Sequence, residues 1–247
     1  MTTTEDKDRE ENSNPDVAIL DDLMQKFVFY CDINDPNKTL YMYENGIWKG
    51  EHYVRNFIQN KFSEIYGRIG NVRKSDPQWA IEYLKGMAMS RRDIINKPKE
   101  LVPFKNHFVV VEDFEEEIDG KIVHHKQGEI IELSPRYFYL NAIPWEHKPN
   151  AKCSKFQKWL SETVQKEDLK LIQEMVGYCF YTAYPEAVFF ILVGSGSNGK
   201  TLFTTLLSKL LGENNVTSVT LSHLVNNRFK MAELFCKLAN ISDDRLC

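Results

Sequence analysis

Three glycines followed by a lysine and a threonine have the residue types and spacing best suited to chemistry in this chain. The glycines are Gly194, Gly196 and Gly199, and Lys200 and Thr201 follow directly. Glycines let backbone N–H groups curve around an anion without Cβ clashes. A helix that begins at Lys200 would direct its unpaired N–H groups and the positive end of its dipole to the same anion. The spacing therefore predicts a phosphate-binding loop of the P-loop pattern from Gly194 to Thr201.

Each part of this loop has a predicted role toward a nucleoside triphosphate. Lys200 would reach the β- and γ-phosphates, and the Thr201 hydroxyl would bind Mg²⁺. The residues expected to hold the nucleotide are Gly194, Ser195, Gly196, Ser197, Asn198, Gly199, Lys200 and Thr201.

Apolar and helical patterns alternate on both sides of the loop. The apolar run 187–193 predicts a strand that enters the loop, and a helix is expected over 200–211, ended by Gly212. Further strands are expected over 216–219 and 238–241. Because strands that alternate with helices favour a parallel sheet, we expect the start of an α/β P-loop NTPase domain here.

The residues before the loop predict an α+β front domain. Asn45-Gly46 lies between apolar runs and is a strong hairpin signal. Periodic apolar residues predict helices over 16–26, 52–66 and 77–90, and strands over 107–111, 121–125 and 129–133. The predicted domains are a disordered acidic tail, an α+β front domain, a helical linker region and an incomplete ATPase domain, at 1–15, 16–150, 151–186 and 187–247.

The composition is typical of a soluble globular protein, with 43% hydrophobic and 27% charged residues. No apolar stretch approaches the length needed to cross a bilayer, and the first residues contain no apolar signal region. The five cysteines are scattered without a Cys-x-x-Cys spacing, which indicates thiols in a reducing compartment. We therefore expect a cytoplasmic protein with no membrane partner.

Charged side chains are unevenly distributed along the front domain. Residues 49–105 hold twelve basic and six acidic side chains, whereas residues 112–132 hold two and eight. Tyr53, Tyr66 and Trp79 lie among the bases, as on surfaces that contact phosphates and stack nucleic-acid bases. The alternative is that these charges are solvated helix faces and the aromatic residues belong to the core. The candidate DNA contacts are Arg68, Arg73, Lys74, Arg91 and Arg92.

The loop and several other sequence blocks resemble the superfamily III helicases of phages, plasmids and poxviruses, the primase-helicases. Asn198, directly before Gly-Lys, is typical of that loop variant. The other similar blocks, in the same order, are 101–106, 174–178, 210–213, 228–234 and 237–241. The resemblance covers residues 16–247.

This resemblance implies an AAA+-like ATPase that uses ATP and Mg²⁺ to unwind DNA as a homo-hexameric ring, together with a primase domain or protein. It also implies a motif B carboxylate at the end of a neighbouring strand, which Asp243 and Asp244 match. Lys200 and these two acids would be catalytic, and the acids would share Mg²⁺ with Thr201. Which acid binds the metal is left open, and a solvated Asp pair is the alternative.

The sequence ends at Cys247, shortly after motif B. The family's next strand, its DNA-contacting hairpin, its arginine finger and its primase domain have no counterpart here. We therefore expect the ATP-binding portion of a replicative helicase, with catalysis by this chain left open. The alternative is a non-enzymatic nucleotide- and DNA-binding replication module or an inactive fragment. Other P-loop enzymes fit less well, because the sequence contains neither an Asn-Lys-x-Asp motif nor an Arg-rich run after the loop.

Overall fold

The computed structural model describes residues 15–32, 35–69, 77–88, 98–182, 186–196 and 198–242, apart from the side chains of 67–69. The helices in this part of the chain are α1 (Pro15–Lys26), α2 (Glu51–Ile69), α3 (Pro77–Ala88), α4 (Ser154–Thr163), α5 (Leu169–Tyr178), α6 (Lys200–Leu211) and α7 (Leu221–Asn226). The strands are β1 (Val28–Cys31), β2 (Leu40–Glu44), β3 (Ile47–Lys49), β4 (Leu101–Pro103), β5 (Phe108–Val110), β6 (Phe114–Ile118), β7 (Lys121–His125), β8 (Ile130–Ile131), β9 (Val216–Thr217) and β10 (Ala239–Asn240).

The chain divides into two compact units. The first comprises residues 1–96 and 135–140, and the second comprises 97–134 and 141–247. Residues 97–134, which belong to the predicted front domain, are thus grouped with the residues around the loop. The domain boundaries predicted from the sequence remain predictions.

In its described residues, the first unit is an antiparallel sheet covered by three helices. Strand β2 pairs with both β1 and β3. The predicted hairpin is confirmed, because Asn45 and Gly46 both have positive φ, 51° and 86°, as a tight two-residue hairpin turn requires. Alternate residues of β1 and β2 share one face of the sheet, since successive side chains point to opposite sides. They are buried with apolar residues of α1, α2 and α3.

The opposite face of this sheet packs against residues 135–140. The Trp48 side chain is 1% exposed, and its indole N–H donates to the Tyr137 carbonyl at 3.0 Å. The Trp48 backbone N–H also donates to the Tyr139 carbonyl, at 2.8 Å. Phe138 completes an aromatic group with Tyr30 and Tyr41. One tryptophan therefore fixes a segment that lies far away in the sequence.

The described part of the second unit contains two small antiparallel sheets and a parallel strand pair. Strand β5 pairs with β4 and β8, and β6 pairs with β7 across the Asp119-Gly120 turn. Strands β9 and β10 are parallel, with Ala239 opposite Val216 and Asn240 opposite Thr217. The apolar core of this unit, the second core, contains Phe203, Leu207 and Leu211 of α6, together with Val102 of β4 and Met175 of α5.

Residues 187–193, predicted as a strand, do not form one in the described structure. A strand is defined by backbone hydrogen bonds to a neighbour, and none of the described residues pairs with this segment. Phe189 is 79% and Val193 87% exposed, whereas Leu192 packs on the second core. The apolar composition of this run predicts a strand, but it does not show which other strands would pair with it. A wider parallel sheet stays a prediction.

None of the helices in the described residues combines the length and the apolar character needed to span a bilayer.

Candidate nucleotide-binding site

Gly199 joins the glycine-rich loop to helix α6. It is the N-cap residue, with φ 84° and ψ −1°, in the left-handed region that disfavours any residue with a Cβ. Helix α6 begins at Lys200 and ends at Leu211, followed by Gly212 with φ 92°. The predicted helix and its glycine stop are therefore confirmed. The first backbone N–H groups of α6 face the loop without partners inside the helix, as at any helix N-terminus.

The other two glycines of the loop differ in what they need. A Cβ on Gly194 would overlap the Nδ2 atom of Asn198, so this position depends on the absence of a side chain. A Cβ on Gly196 would meet nothing within 4 Å. Neither residue has a positive φ among the described glycines. The conformational requirement expected for three glycines is thus seen at Gly199, and a steric one at Gly194.

The Lys200 ammonium group lies across the loop and donates to three oxygen atoms of the loop itself. Its Nζ atom lies 2.9 Å from the Gly194 carbonyl oxygen, 3.2 Å from the Ser195 carbonyl oxygen and 2.7 Å from Asn198 Oδ1. An ammonium group has three donors, and here all three have acceptors. The loop therefore curves around the lysine, and phosphate oxygens would have to replace these acceptors.

Thr201 is exposed at the second position of α6. Its carbonyl accepts hydrogen bonds from the hydroxyls of Thr204 and Thr205 at 3.1 and 2.8 Å, so the first turn of the helix is reinforced by side chains. An exposed hydroxyl next to the loop lysine fits the predicted magnesium-binding role. Ser197, also predicted to bind the nucleotide, lies outside the described residues.

The predicted motif B strand leads to Asp243 and Asp244, which lie outside the described residues themselves. The strand is present as β10, and its pairing with β9 extends beyond the assigned strands. The Leu238 N–H donates to the Asn215 carbonyl at 2.7 Å and the Ile241 N–H to the Thr217 carbonyl at 2.8 Å. Leu238, Ile241 and Leu192 contact the same core, so the strand and the residues that enter the loop share one support.

Helix α4 contacts the loop at Gly199, a contact that the sequence did not indicate. A Cβ on Gly199 would lie 3.2 Å from Cζ2 of Trp159 and 3.2 Å from Cγ2 of Thr163. The Thr163 hydroxyl donates to the Trp159 carbonyl at 2.8 Å. The two residues are four apart and so share a face of α4, but they precede the loop by more than thirty residues. Helical spacing alone cannot show which loop that face contacts.

The candidate DNA contacts lie outside the part of the structure that is described. This holds for Arg73, Lys74, Arg91, Arg92 and the side chain of Arg68.

Neighbouring residues of the same basic segment already have acidic partners. Lys85 Nζ lies 2.9 Å from Glu51 Oε2 and 3.3 Å from Glu82 Oε1. Arg55 Nη2 lies 3.2 Å from Glu51 Oε1. Burial lowers the pKa of Lys85, but the hydrogen bonds and charges of Glu51 and Glu82 outweigh burial and raise that pKa above its usual value. Lys85 and Arg55 therefore form ion pairs within the first unit.

Two of the aromatic residues of this segment also have acidic partners, and the third contacts another ring. Tyr53 and Tyr66 donate their hydroxyls to the carboxylates of Glu44 and Asp16. Trp79 is 39% exposed and stacks on Tyr83, with ring centroids 5.6 Å apart.

Strands β6 and β7 hold an acidic and histidine-rich cluster. His124 is exposed and lies 2.7 Å from Glu115, whereas His125 is buried with its Nε2 atom 3.0 Å from Glu116 Oε1. Adjacent strand residues point to opposite faces, which explains the difference. Among the described residues, no group of three or more His, Cys, Asp and Glu has the arrangement of a metal site.

Comparison with known proteins gives one family match. Residues 192–246 are similar to a family described as a family of unknown function, DUF5906. The matched segment includes the loop, α6, β9, β10 and the two acids predicted as motif B. No curated protein matches the chain.

Proposed function

We propose that this chain is the ATP-binding portion of a replicative DNA helicase of the primase-helicase type from a virus, phage or plasmid. The observation that carries the proposal is Lys200 Nζ held across a loop that leads through the left-handed Gly199 into α6. A lysine at the centre of a glycine-rich loop that leads into a helix supports a triphosphate-binding role. The blocks of sequence outside the loop support the helicase class, and a reducing cytoplasm is the proposed compartment.

The residues of the chain would act on ATP as follows. Phosphate oxygens would take the place of the loop oxygens as acceptors of Lys200, while the backbone N–H groups at the start of α6 hold the anion. Thr201 and one of Asp243 and Asp244 would hold Mg²⁺, and the other acid would orient the attacking water. When bound, Mg²⁺ would neutralise charge on the transferred phosphoryl group.

Substitution of the motif B acids tests the enzymatic part of the proposal. Asp243→Asn and Asp244→Asn should preserve most ATP binding and abolish phosphate release in the presence of DNA, because metal-side acids act mainly on the reaction. If the wild-type chain binds ATP without releasing phosphate under any DNA condition, the non-enzymatic nucleotide-binding module is the better description. Equal phosphate release by both variants and the wild type would contradict the assigned roles.

The DNA-binding part is tested through the salt dependence of binding. Each single Ala substitution at a phosphate-contacting residue should flatten the plot of log affinity against log salt by about 0.9. The candidates are Arg68, Arg73, Lys74, Arg91 and Arg92. An Ala substitution of Lys61, which is paired with Glu64 at 2.9 Å, is the matched control. Unchanged slopes in all five variants would contradict this interface.

Light scattering of the chain with Mg-ATP and DNA measures its molar mass and so tests the proposed homo-hexamer.

A further inference from the structure

The aromatic surface of α4 lies directly beside the loop that is proposed to bind phosphate. A Cβ on Gly199 would lie 3.2 Å from Cζ2 of Trp159 and 3.2 Å from Cγ2 of Thr163. Gly199 is the residue before Lys200 and caps the helix that would face the phosphates. An aromatic ring is thus in contact with the loop where the chain turns toward the anion.

The Trp159 ring is held in place from several sides. Trp159 packs against the second core, and its ring centroid lies 5.8 Å from that of Phe156, with the planes 35° apart. Residues 156, 159 and 163 follow an i, i+3, i+7 spacing, so they form one stripe along α4. Phe156 is 38% exposed and Trp159 is partly exposed. The stripe is therefore fixed by packing and still accessible.

We infer that Trp159, extended by Phe156, is the surface on which the base of the bound nucleotide stacks. The inference rests on the proposed function, since it places the base of the same ligand. A nucleotide held by its phosphates at the loop must place its base on a neighbouring surface, and aromatic rings are suitable partners because every base has a π-face. The ligand class is a nucleoside triphosphate whose base is recognised by stacking.

Stacking predicts a particular order of affinities. Purine rings offer more surface than pyrimidine rings, so ATP and GTP should bind with similar affinity and more tightly than CTP and UTP. Tripolyphosphate has no base and should bind more weakly than any of them. One stacked base on one aromatic side chain corresponds to roughly a 5- to 150-fold change in affinity.

The test is a set of calorimetric titrations of the full chain with ATP, CTP and tripolyphosphate, each with Mg²⁺. Trp159→Leu keeps apolar volume against Gly199 but removes the ring, whereas Trp159→Phe keeps a ring. The first variant should lose about 5- to 150-fold in ATP affinity with tripolyphosphate binding unchanged, and the second should recover most of the loss. Trp145→Leu, at a tryptophan of the same unit that is 54% exposed, is the control and should bind like the wild type.

The outcomes separate this inference from the proposed function. Equal losses for ATP and tripolyphosphate in Trp159→Leu would show that Trp159 only supports the loop, and would overturn the stacking role while the phosphate site stands. Unchanged ATP affinity in that variant would overturn it as well. Absence of any binding of ATP or tripolyphosphate by the wild-type chain would overturn both proposals.

Discussion

Lys200 Nζ lies 2.7 Å from Oδ1 of Asn198, two residues earlier in the chain. The same Asn198 side chain occupies the space where a Cβ on Gly194 would lie. One amide therefore links the lysine to the beginning of the loop. A bound triphosphate would have to replace this amide oxygen with one of its own before it contacts Lys200.

An aspartate at this position should impair triphosphate binding. Asn198→Asp places a carboxylate next to Lys200, which strengthens the internal contact and repels phosphate. Because hydrogen bonds to charged groups contribute about 1.5–3 kcal/mol, affinity for Mg-ATP should fall about tenfold or more. Calorimetric titration measures this, with Asn226→Asp on α7 as the control. Wild-type affinity in Asn198→Asp would show that Asn198 does not face the phosphates.

The two glycines at 196 and 199 form a matched pair for substitution. Gly199→Ala forces a side chain into the left-handed region and brings its Cβ to 3.2 Å from Trp159 and Thr163, so the second unit should lose about 1–3 kcal/mol of stability. Gly196→Ala meets open space and should change the free energy of unfolding by less than about 0.5 kcal/mol. Chemical denaturation of both variants checks the difference. Equal stability would mean that Gly199 is not constrained as described.

The packing of residues 135–140 on the first unit predicts a specific role for Trp48. Trp48→Phe retains a buried ring but removes the indole N–H that donates to Tyr137, so it should destabilise the first unit by about 1–3 kcal/mol. Trp79→Phe, at a partly exposed site, should have little effect. Thermal denaturation followed by circular dichroism compares the two. Similar transitions for both variants would argue against the Trp48–Tyr137 contact.

The His107–His147 pair predicts a pH dependence of stability in the second unit. Nε2 of His107 lies 3.0 Å from Nδ1 of His147, and the ring of His147 lies beside that of Phe104. Burial, and secondly the charge of His147, lower the pKa of His107. As the pH falls through about 6.5, the unfolded chain takes up a proton that folded His107 resists, so stability decreases toward the lowered pKa and is fully present above about pH 7.5.

His107→Gln should reduce this loss of stability. Urea denaturation at about pH 7.5 and about pH 5.5 gives the change for each protein, and His223→Gln, an exposed histidine of the same unit, is the control. An identical pH dependence in His107→Gln and the wild type would contradict the assignment to His107.

Local signals in the sequence predicted the parts of the fold that depend on near neighbours. The Asn45-Gly46 hairpin, helix α6 and the Gly212 stop each follow from a few adjacent residues, and the structure confirms them. Strand β6 was missed because Glu115, Glu116 and Glu117 give it an acidic sequence. Its pairing with β7 buries Glu116 against His125, and this contact lies outside the segment itself.

The candidate site shows the same limit. The loop residues and their order were predicted from spacing, and Lys200 lies at the centre of the loop in the structure. The contact of Trp159 with Gly199 could not be predicted, because it depends on how α4 packs on the second core. The strand expected at 187–193 needs partners that an apolar run does not identify.

The most direct test of the central proposal is a calorimetric titration with Mg-ATP of the wild-type chain and of Lys200→Ala. Lys209→Ala, at an exposed position of the same helix, is the matched control. We predict that the wild type and Lys209→Ala bind Mg-ATP, and that Lys200→Ala binds about tenfold to a hundredfold more weakly or not at all. Wild-type affinity in Lys200→Ala, or no binding by the wild type, would contradict the assignment of this loop as a nucleotide-binding site.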